Sequence, residues 1–386
     1  MKILLVSSSI LPYAGGSSVI VENLAQNFDQ SELIVVGGKD RFQPKAVSRN
    51  PQGPTFRYFF SEMSFFGRGA RYFNWFRQLR FPVLVNHLKE IIQKEQIDHV
   101  IGVYPTHFYC LAACRAAQQS QKPFSSYFHN TYLENTAIKD PNAPSIQKEI
   151  FEMSQHIFVI SKGMEDFYRH QYQLDKFTPL VHTFNQYPPT QQLSGLPGTQ
   201  KKTYKLVAIG NFNESNMDAT IRLARAIKDD DRFSLHVYTH VPKLLLQKRG
   251  LDPRWLVHEG FVTPDQVHEV LQAYDIAVLT HGFTGGYGAI EYQTIFPTRT
   301  IPLLLSGKPI LAHSPKGSFL NQFIESNHCA ALIDEADEKA IVKELEKIVR
   351  DQHYQQTLVD AAKQTSELFY GPNVVRTLKS KLAEKA

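Results

Sequence analysis

The amino-acid sequence predicts an α/β protein built from two doubly wound, parallel-sheet domains. Short β-branched runs alternate with longer helix-like patterns, a Pro-, Gly-, Gln- and Thr-rich stretch interrupts this alternation at residues 184–202, and the alternation then restarts. The chain has 386 residues, of which 42% are hydrophobic, and this length suits two hydrophobic cores better than one. We therefore expect two sheets, each with helical crossovers between its strands.

The first domain is expected over residues 1–183. Its predicted strands are short and apolar, and segments with helical periodicity separate them, the clearest being an amphipathic stretch at 17–28. The strands are expected at residues 2–8, 32–36, 98–104, 123–129, 156–161 and 178–183. Because helical crossovers join parallel strands, the sheet should be parallel.

The second domain is expected over residues 203–368, after the linker at 184–202. Its predicted strands lie at residues 204–210, 233–239, 255–260, 275–280, 308–313 and 329–333. A linker of this composition permits rigid-body rotation, so we expect the two domains to hinge about it and to close when a ligand binds.

The C-terminal segment, residues 369–386, is expected to be a helix whose single apolar stripe suits docking on the N-terminal domain. Asn373 follows Gly371-Pro372 and could cap this helix, and Val374, Leu378 and Leu382 recur at helical spacing. Deleting residues 370–386 should then loosen the arrangement of the domains and lower activity while each domain stays folded. The alternative is a frayed surface tail.

Composition excludes several classes of protein. The formal net charge is +5, and the Lys and Arg residues are scattered, which argues against a nucleic-acid partner. Three cysteines cannot form a disulfide framework and show no zinc spacing, so a reducing compartment is expected. No run of 18 apolar residues predicts a membrane span, and the protein is expected in the cytoplasm.

Ligands of open α/β sheets bind beyond the carboxyl ends of the strands, so the loops there are the candidate site. Gly15 and Gly16 follow the first strand and precede a helix that Ser17 or Ser18 could cap, an arrangement that suits an anion or a polar sugar. A tight turn is the alternative reading of this glycine pair.

A second loop of this kind is the glycine-rich segment 281–288, which follows the predicted strand 275–280. The amides of Gly285 and Gly286 could form a concave anion site, with the hydroxyl of Thr284 as a further donor. A surface loop without a ligand is the alternative.

Several segments together resemble the retaining glycosyltransferases of family 4. They are the opening MKILLVSSSILPYAGGSSVIVENLA, VAIGNFN at 207–213, VHEGFVTPDQVHEVLQAYDIAVLT at 257–280 and the stretch 296–334 around SGKPILAH. The resemblance covers most of the chain. It implies the GT-B architecture of two Rossmann-like domains facing across a cleft, with the acceptor bound by the first domain and a nucleotide-diphosphate sugar by the second. It also implies that the final helix, expected at residues 369–386, crosses back to the N-terminal domain.

The resemblance also implies site residues. Pro297-Thr298-Arg299 occupies the place of an element whose cation neutralises the donor diphosphate, and a guanidinium can hold phosphate oxygens through two parallel bonds. Gly210 and Asn211 begin the first donor-domain loop. Either Thr298 or Thr300 could cap the helix that faces the same anion. A solvated loop arginine is the alternative.

The resemblance places His129, followed by Asn130, near the transferred sugar. A histidine there can bond a sugar hydroxyl or assist proton movement from the acceptor, which makes it the candidate catalytic residue. A histidine at a strand end can equally be structural. The activity implied is that of a hexosyltransferase-like, retaining and metal-independent enzyme of polysaccharide biosynthesis, with no cofactor besides the nucleotide sugar.

The chain departs from the family pattern at two places. The paired glutamates, separated by seven residues, would fall at Thr294 and Pro302, and Glu291 is a weak substitute because it lies three residues earlier. The loop 210–216 also lacks the Arg and Lys that relatives set against the diphosphate. Asn213 or Asn216 could serve there as a helix cap. These departures motivate a second hypothesis, a catalytically silent protein that partners or chaperones an active transferase.

Two further segments concentrate charged side chains. Asp229-Asp230-Asp231 is more simply a solvated turn than a metal site. Residues 56–87 interleave aromatic side chains with Arg57, Arg68, Arg71, Arg77 and Arg80, a pattern that suits a peripheral contact with the inner face of a membrane and hence a glycan or lipid-linked acceptor. A core helix with snorkelling arginines, or a protein interface, is the alternative.

Overall fold

The structure, a computed structural model, describes most of the chain. The described residues are 1–10, 16–39, 53–60, 70–104, 107–135, 140–187, 196–198, 201–284 and 288–384. They divide into two compact units, one formed by Met1–Asn185 with Tyr370–Ala386 and the other by Gln186–Phe369.

The first unit contains a parallel sheet with helical crossovers. Its described strands are β1 (Ile3–Ser7), β2 (Leu33–Lys39), β3 (Thr55–Phe60), β4 (His99–Tyr104), β5 (Phe124–Phe128), β6 (Ile157–Val159) and β7 (Phe177–Pro179), in the spatial order β3-β2-β1-β4-β5-β6-β7. Its helices are α1 (Gly16–Ala25), α2 (Ala70–Lys94), α3 (His107–Gln119), α4 (Ala143–Met153) and α5 (Lys162–Tyr172).

Apolar runs become the central strands because both faces of the sheet are covered. Every residue of β1 is buried, and Ile3 pairs with Leu33 on one side and with His99 on the other. Continuous apolar strands of this kind are typical of parallel sheets. Cys110 and Cys114 are buried on α3, where they pack as small apolar side chains.

The segment 56–87, for which the sequence predicted a membrane contact, contains parts of a strand and of a helix. Residues 55–60 form the edge strand β3, which pairs in parallel with β2, and α2 starts only at Ala70. Arg57 lies on β3 and pairs with Glu95 at 2.5 Å. Arg68 and the side chains of Arg71 and Arg77 lie outside the described residues.

The second unit repeats the same design. Its described strands are β8 (Tyr204–Ile209), β9 (Phe233–Tyr238), β10 (Val257–Gly260), β11 (Ile276–Thr280), β12 (Ile310–His313) and β13 (Ala331–Ile333), in the order β10-β9-β8-β11-β12-β13, with parallel pairing throughout. Two doubly wound parallel sheets confirm the predicted fold class.

Helices of the second unit follow its strands along the chain. They are α6 (Met217–Ile227), α7 (Lys243–Lys248), α8 (Val267–Gln272), α9 (Ala289–Thr294), α10 (Thr300–Leu304), α11 (Phe319–Asn327), α12 (Glu338–Arg350) and α13 (Gln352–Ser366), with short 3-10 turns at Pro253–Trp255 and Glu367–Phe369. Of the predicted linker, residues 188–195 and 199–200 lie outside the described residues.

The last helix, α14 (Gly371–Ala383), belongs to the first unit. Val374, Val375, Leu378 and Leu382 are buried in the same apolar cluster as the first sheet. The backbone N–H of Gly371 donates to the carbonyl of Phe184, which fixes where the helix starts. The cap position is Tyr370 and not Asn373, because the helix begins three residues earlier than a cap at Asn373 would give.

Candidate functional site

The candidate site of the second unit lies at the carboxyl ends of β8 and β11. These strands are neighbours in the sheet, with Ala208 opposite Val278, so the loops that leave them start side by side. The loop after β8 begins at Gly210, and the loop after β11 begins at His281. Parallel sheets bind ligands at this edge.

At Gly210 a ligand can come close to the backbone, because this residue has no side chain. Its φ is +129°, a conformation that side-chain-bearing residues rarely adopt, and a Cβ added there would lie 3.5 Å from the Cδ and Nη1 atoms of Arg299. Gly210 and Arg299, which are 89 positions apart in the sequence by their numbers, are therefore neighbours in space.

Arg299 is half-buried and has no carboxylate partner within the described residues. Its Nη2 atom donates to the carbonyl oxygen of Thr280 at 2.5 Å. Burial lowers the pKa of the guanidinium to about 10, so it remains charged at neutral pH. A cation held in place without a counter-charge is suited to an anionic ligand.

His281, which the sequence did not single out, adjoins Arg299. It is buried, its Nδ1 lies 3.3 Å from the hydroxyl oxygen of Ser314, and burial together with the charge of Arg299 lowers its pKa to about 3. The imidazole is therefore neutral at neutral pH, and it adds a polar but uncharged neighbour to the guanidinium.

The glycine-rich loop is only partly described. Thr284 is exposed, and Gly285 and Gly286 lie outside the described residues, so the predicted anion site formed by their amides stays a prediction. Gly288 has a φ of +94°, which favours glycine at this position before α9.

The loop between β8 and α6 is organised by its own asparagines. The Asn216 amide donates to the carbonyl of Asn211 and accepts from the N–H of Asn213, while the Asn213 side-chain oxygen accepts from Ser215. Asn216 is the residue before α6, but its side chain makes no capping bond to the helix, so that prediction is wrong. Asn211 is exposed.

Capping of α10 by threonine is also not found. The residue before the helix is Arg299 itself, and no side chain caps the helix. Thr298 is half-buried, and Thr300 is buried within the first turn. Capping fails because the helix starts directly after the arginine, leaving neither threonine at the cap position.

The positions of the missing glutamates have structural roles. Thr294 is buried in α9, where its hydroxyl donates to the carbonyl of Ile290 at 2.9 Å, and Pro302 lies inside α10. Glu291 is buried one turn before the end of α9.

In the first unit, His129 follows β5 and is almost completely buried. Neither ring nitrogen has a hydrogen-bond partner among the described residues, and the ring contacts that of Tyr127 edge-on at 4.3 Å between centroids. Burial, with a smaller effect of His182, lowers the pKa of His129 well below its ordinary value. Asn130 is half-buried, Gly16 is the exposed first residue of α1, and Gly15 lies outside the described residues.

Ser17 and Ser18 lie within α1, so neither occupies the predicted cap position.

The acidic turn at 229–231 has a structural role, since the Asp230 carboxylate accepts bidentate hydrogen bonds from Arg232. Within the described part of the chain, no group of three or more His, Cys, Asp or Glu residues is placed to hold a metal ion. No helix of that part has the length and apolar character to cross a membrane.

Comparison with known proteins relates the first unit to a sequence family. Residues 14–182 match the family described as Glycosyltransferase Family 4. No curated protein matches the chain in sequence.

Solved structures are similar over the whole chain. Sucrose-phosphate synthase from Thermosynechococcus elongatus is 14% identical with a TM-score of 0.69, and the match covers 99% of this chain and 98% of that one. Anabaena Alr3699/HepE in complex with UDP-glucose is 13% identical with a TM-score of 0.71 and 99% of each chain covered. The lipopolysaccharide outer core galactosyltransferase WaaB is 15% identical with a TM-score of 0.63 and again 99% of each chain covered. At such low identity these similarities establish the fold.

Proposed function

We propose that this chain, of the GT-B glycosyltransferase type, transfers a hexosyl group from a nucleotide-diphosphate sugar to an acceptor. The proposal proceeds from the Glycosyltransferase Family 4 domain at residues 14–182. The second unit would bind the donor and the first unit the acceptor. Anabaena HepE has been solved with UDP and with UDP-glucose, which supports a nucleotide sugar as the donor class for this fold.

The observation that carries the proposal is the pairing of Arg299 with Gly210. A charged guanidinium without a carboxylate partner in the described residues lies beside a glycine whose φ is +129°. A diphosphate fits both features. Its oxygens accept charge-assisted hydrogen bonds from the guanidinium, and a group of its size can come close to the backbone only where no side chain blocks it, as at a glycine. The exposed Thr284 would add a hydroxyl donor, and Thr298 and Asn211 would line the same loops.

In the proposed mechanism, Arg299 stabilises the negative charge that develops on the leaving diphosphate. The glycine-rich loop would contribute backbone N–H donors to the same oxygens, and preorganised donors of this kind lower the barrier of the bond-breaking step. No metal ion would be required, because the guanidinium supplies the positive charge. Retention of anomeric configuration, with attack from the same face, follows from the family resemblance.

His129 is proposed to act on the acceptor. Its neutral imidazole has two ring nitrogens without partners among the described residues, so it could accept a proton or a hydrogen bond from an acceptor hydroxyl. Both nitrogens are enclosed by protein, so such a role requires the acceptor, or a movement of the neighbouring chain, to open the site.

The acceptor is proposed to be a glycan or a lipid-linked molecule at a membrane surface. The described part of α2 supports this, because Leu79 and Val83 are about half exposed at helical spacing, with the exposed Arg80 beside them. Apolar side chains next to a cation suit the headgroup region of a bilayer.

A panel of nucleotide sugars tests the activity directly. We expect turnover with one donor class in the presence of EDTA, and we expect loss of turnover in Arg299→Ala. A folded protein that binds no nucleotide and turns over no donor would instead favour the silent partner, which the replacements at Thr294 and Pro302 motivate. If the protein binds a nucleotide but turns over no donor, the proposed nucleotide site stands and the proposed enzymatic activity is rejected.

A further inference from the structure

Each residue from Thr280, at the end of β11, to Phe283, in the glycine-rich loop, is hydrogen-bonded to another segment of the second unit. The Thr280 hydroxyl lies 2.8 Å from that of Thr220 on α6, and the N–H of His281 donates to the carbonyl of His313. The N–H of Gly282 donates to the carbonyl of Ser215 at 2.7 Å. Loops usually carry fewer such restraints.

Asp218, in the first turn of α6, lies beside Gly282 and Phe283 of this tetrapeptide. One carboxylate oxygen, Oδ2, accepts the N–H of Phe283 at 2.8 Å. The other, Oδ1, is buried, and a Cβ added to Gly282 would lie only 2.6 Å from it. Position 282 therefore admits only glycine while Asp218 stays where it is.

Arg222 lies one helical turn after Asp218 and therefore on the same face of α6. Its guanidinium carbon is 4.7 Å from the centre of the Phe283 ring, and the ring of His313 also contacts that ring, with ring centres 4.6 Å apart. The Arg222 Nη1 donates to Nε2 of His313 at 2.9 Å.

The tautomer of His313 follows from its partners. Nδ1 lies 3.0 Å from the carbonyl oxygen of Ile333, which can only accept, so Nδ1 carries the proton and Nε2 is free to accept from Arg222. Arg222 is thus engaged with an imidazole, an aromatic ring and, at 3.8 Å, the carboxylate of Asp218. These contacts place Arg222 against the start of the loop.

We infer that Asp218 and Arg222 are positioning residues, which fix the place of the start of the glycine-rich loop relative to the guanidinium of Arg299. The link to Arg299 is direct, because its Nη2 bonds the carbonyl of Thr280 at the first residue of the same tetrapeptide. The inference rests on the proposed function, in which this loop and Arg299 bind one diphosphate. Small errors in such placement weaken binding because the donors no longer converge.

Amide hydrogen exchange tests the positioning without any ligand. In Asp218→Ala, we expect faster exchange in peptides covering residues 281–288, with little change elsewhere in the second unit. Asp218→Asn should behave like the wild type, since its side-chain oxygen can still accept the N–H of Phe283. The matched control is Arg225→Ala on the same helix, where the exposed Arg225 pairs with the half-buried Glu338 at 3.4 Å. Unchanged exchange at 281–288 in Asp218→Ala would overturn the inference.

Calorimetric titration with UDP then tests the consequence for binding, at a temperature where circular dichroism shows every variant folded. We expect Asp218→Ala and Arg222→Ala to weaken UDP about 10-fold, a size typical of one displaced charge-assisted contact, and Asp218→Asn and Arg225→Ala to stay near wild type. If Asp218→Ala binds UDP with wild-type affinity while Arg299→Ala clearly loses affinity, the positioning role is rejected and the proposed donor site is not. Wild-type affinity in Arg299→Ala would reject the proposed donor site, while the exchange result would still decide the positioning role.

Discussion

Arg299 donates a hydrogen bond from its Nη2 to the carbonyl oxygen of Thr280, with 2.5 Å between the two atoms. This bond connects the residue before α10 with the last residue of β11, so a backbone carbonyl holds the guanidinium at the sheet edge, and no carboxylate of the described residues pairs with it. Its charge is consequently available to a ligand.

Replacing Arg299 with alanine should weaken nucleotide binding and leave the fold intact. A hydrogen bond to a charged group contributes about 1.5–3 kcal/mol, so roughly a 10- to 100-fold loss of affinity is expected. Calorimetric titration with UDP measures it, and Arg299→Lys should recover part of the affinity because it restores charge but not the fork of donors. Equal affinity of the alanine variant and the wild type would remove Arg299 from the site.

Replacing Gly210 with alanine should destabilise the second unit by roughly 1–3 kcal/mol, because residue 210 has a φ of +129°. A Cβ there would make only ordinary contact with Arg299 at 3.5 Å, so backbone strain and not a clash is the cause. Urea denaturation gives the free energy of unfolding. The matched control is Gly198→Ala, where an added Cβ meets nothing within 4 Å. Equal stability of the two variants would contradict the strain argument.

The α/β class and most strands could be predicted from the sequence, because β-branched runs and helical periodicity are local signals. Strand β3 was missed because its aromatic residues read equally well as part of a membrane-facing segment. The contacts of Asp218 with Phe283 and of Arg222 with His313 join residues 65 and 91 positions apart, and no local pattern encodes such pairs. Arg299 was found through a resemblance, and only the coordinates set it beside Gly210.

The burial of α14 changes the expected effect of removing the C-terminal segment. Leu378 is 1% exposed and packs in the core of the first unit, so deletion of residues 370–386 should destabilise that unit and not leave it folded as the sequence alone suggested. Leu378→Ala should cost about 2–5 kcal/mol, measured by chemical denaturation. Thr377→Ala, at an exposed position of the same helix, is the control. A truncated protein with wild-type stability would refute this packing.

The exposed apolar pair on α2 should contribute to vesicle binding. We expect the double variant Leu79→Glu, Val83→Glu to lose most of its co-sedimentation with anionic phospholipid vesicles, since each buried side chain of this size contributes about 1.5–3 kcal/mol. Leu244→Glu, at a 64% exposed leucine of the second unit, controls for added negative charge. Equal sedimentation of wild type and double variant would place any membrane contact elsewhere.

Stability should fall as the pH drops below about 6.5, because buried histidines stay neutral in the folded state. Burial lowers the pKa of His99 to about 4, of His281 to about 3 and of His313 to about 4, against 6.5 for an unperturbed histidine. Between pH 6.5 and these values the unfolded chain binds protons that the folded chain does not. The stabilisation is therefore complete above pH 6.5 and is lost as the pH falls, by roughly 1.4 kcal/mol per pH unit for each histidine.

Carboxylates do not obscure this window. The salt-bridged Glu95, whose pKa is lowered to about 2 by its hydrogen bonds to Lys2 and Arg57, affects stability only below its ordinary value of 4.5. Urea denaturation at pH 7 and pH 5 should thus show several kcal/mol less stability at the lower pH, spread over the two units according to their histidines. His313→Gln removes one titrating group. The number of protons that the second unit takes up on unfolding at pH 5 should therefore decrease by about one. A flat stability profile between pH 5 and pH 7 would mean that these histidines are protonated in the folded protein or reach solvent.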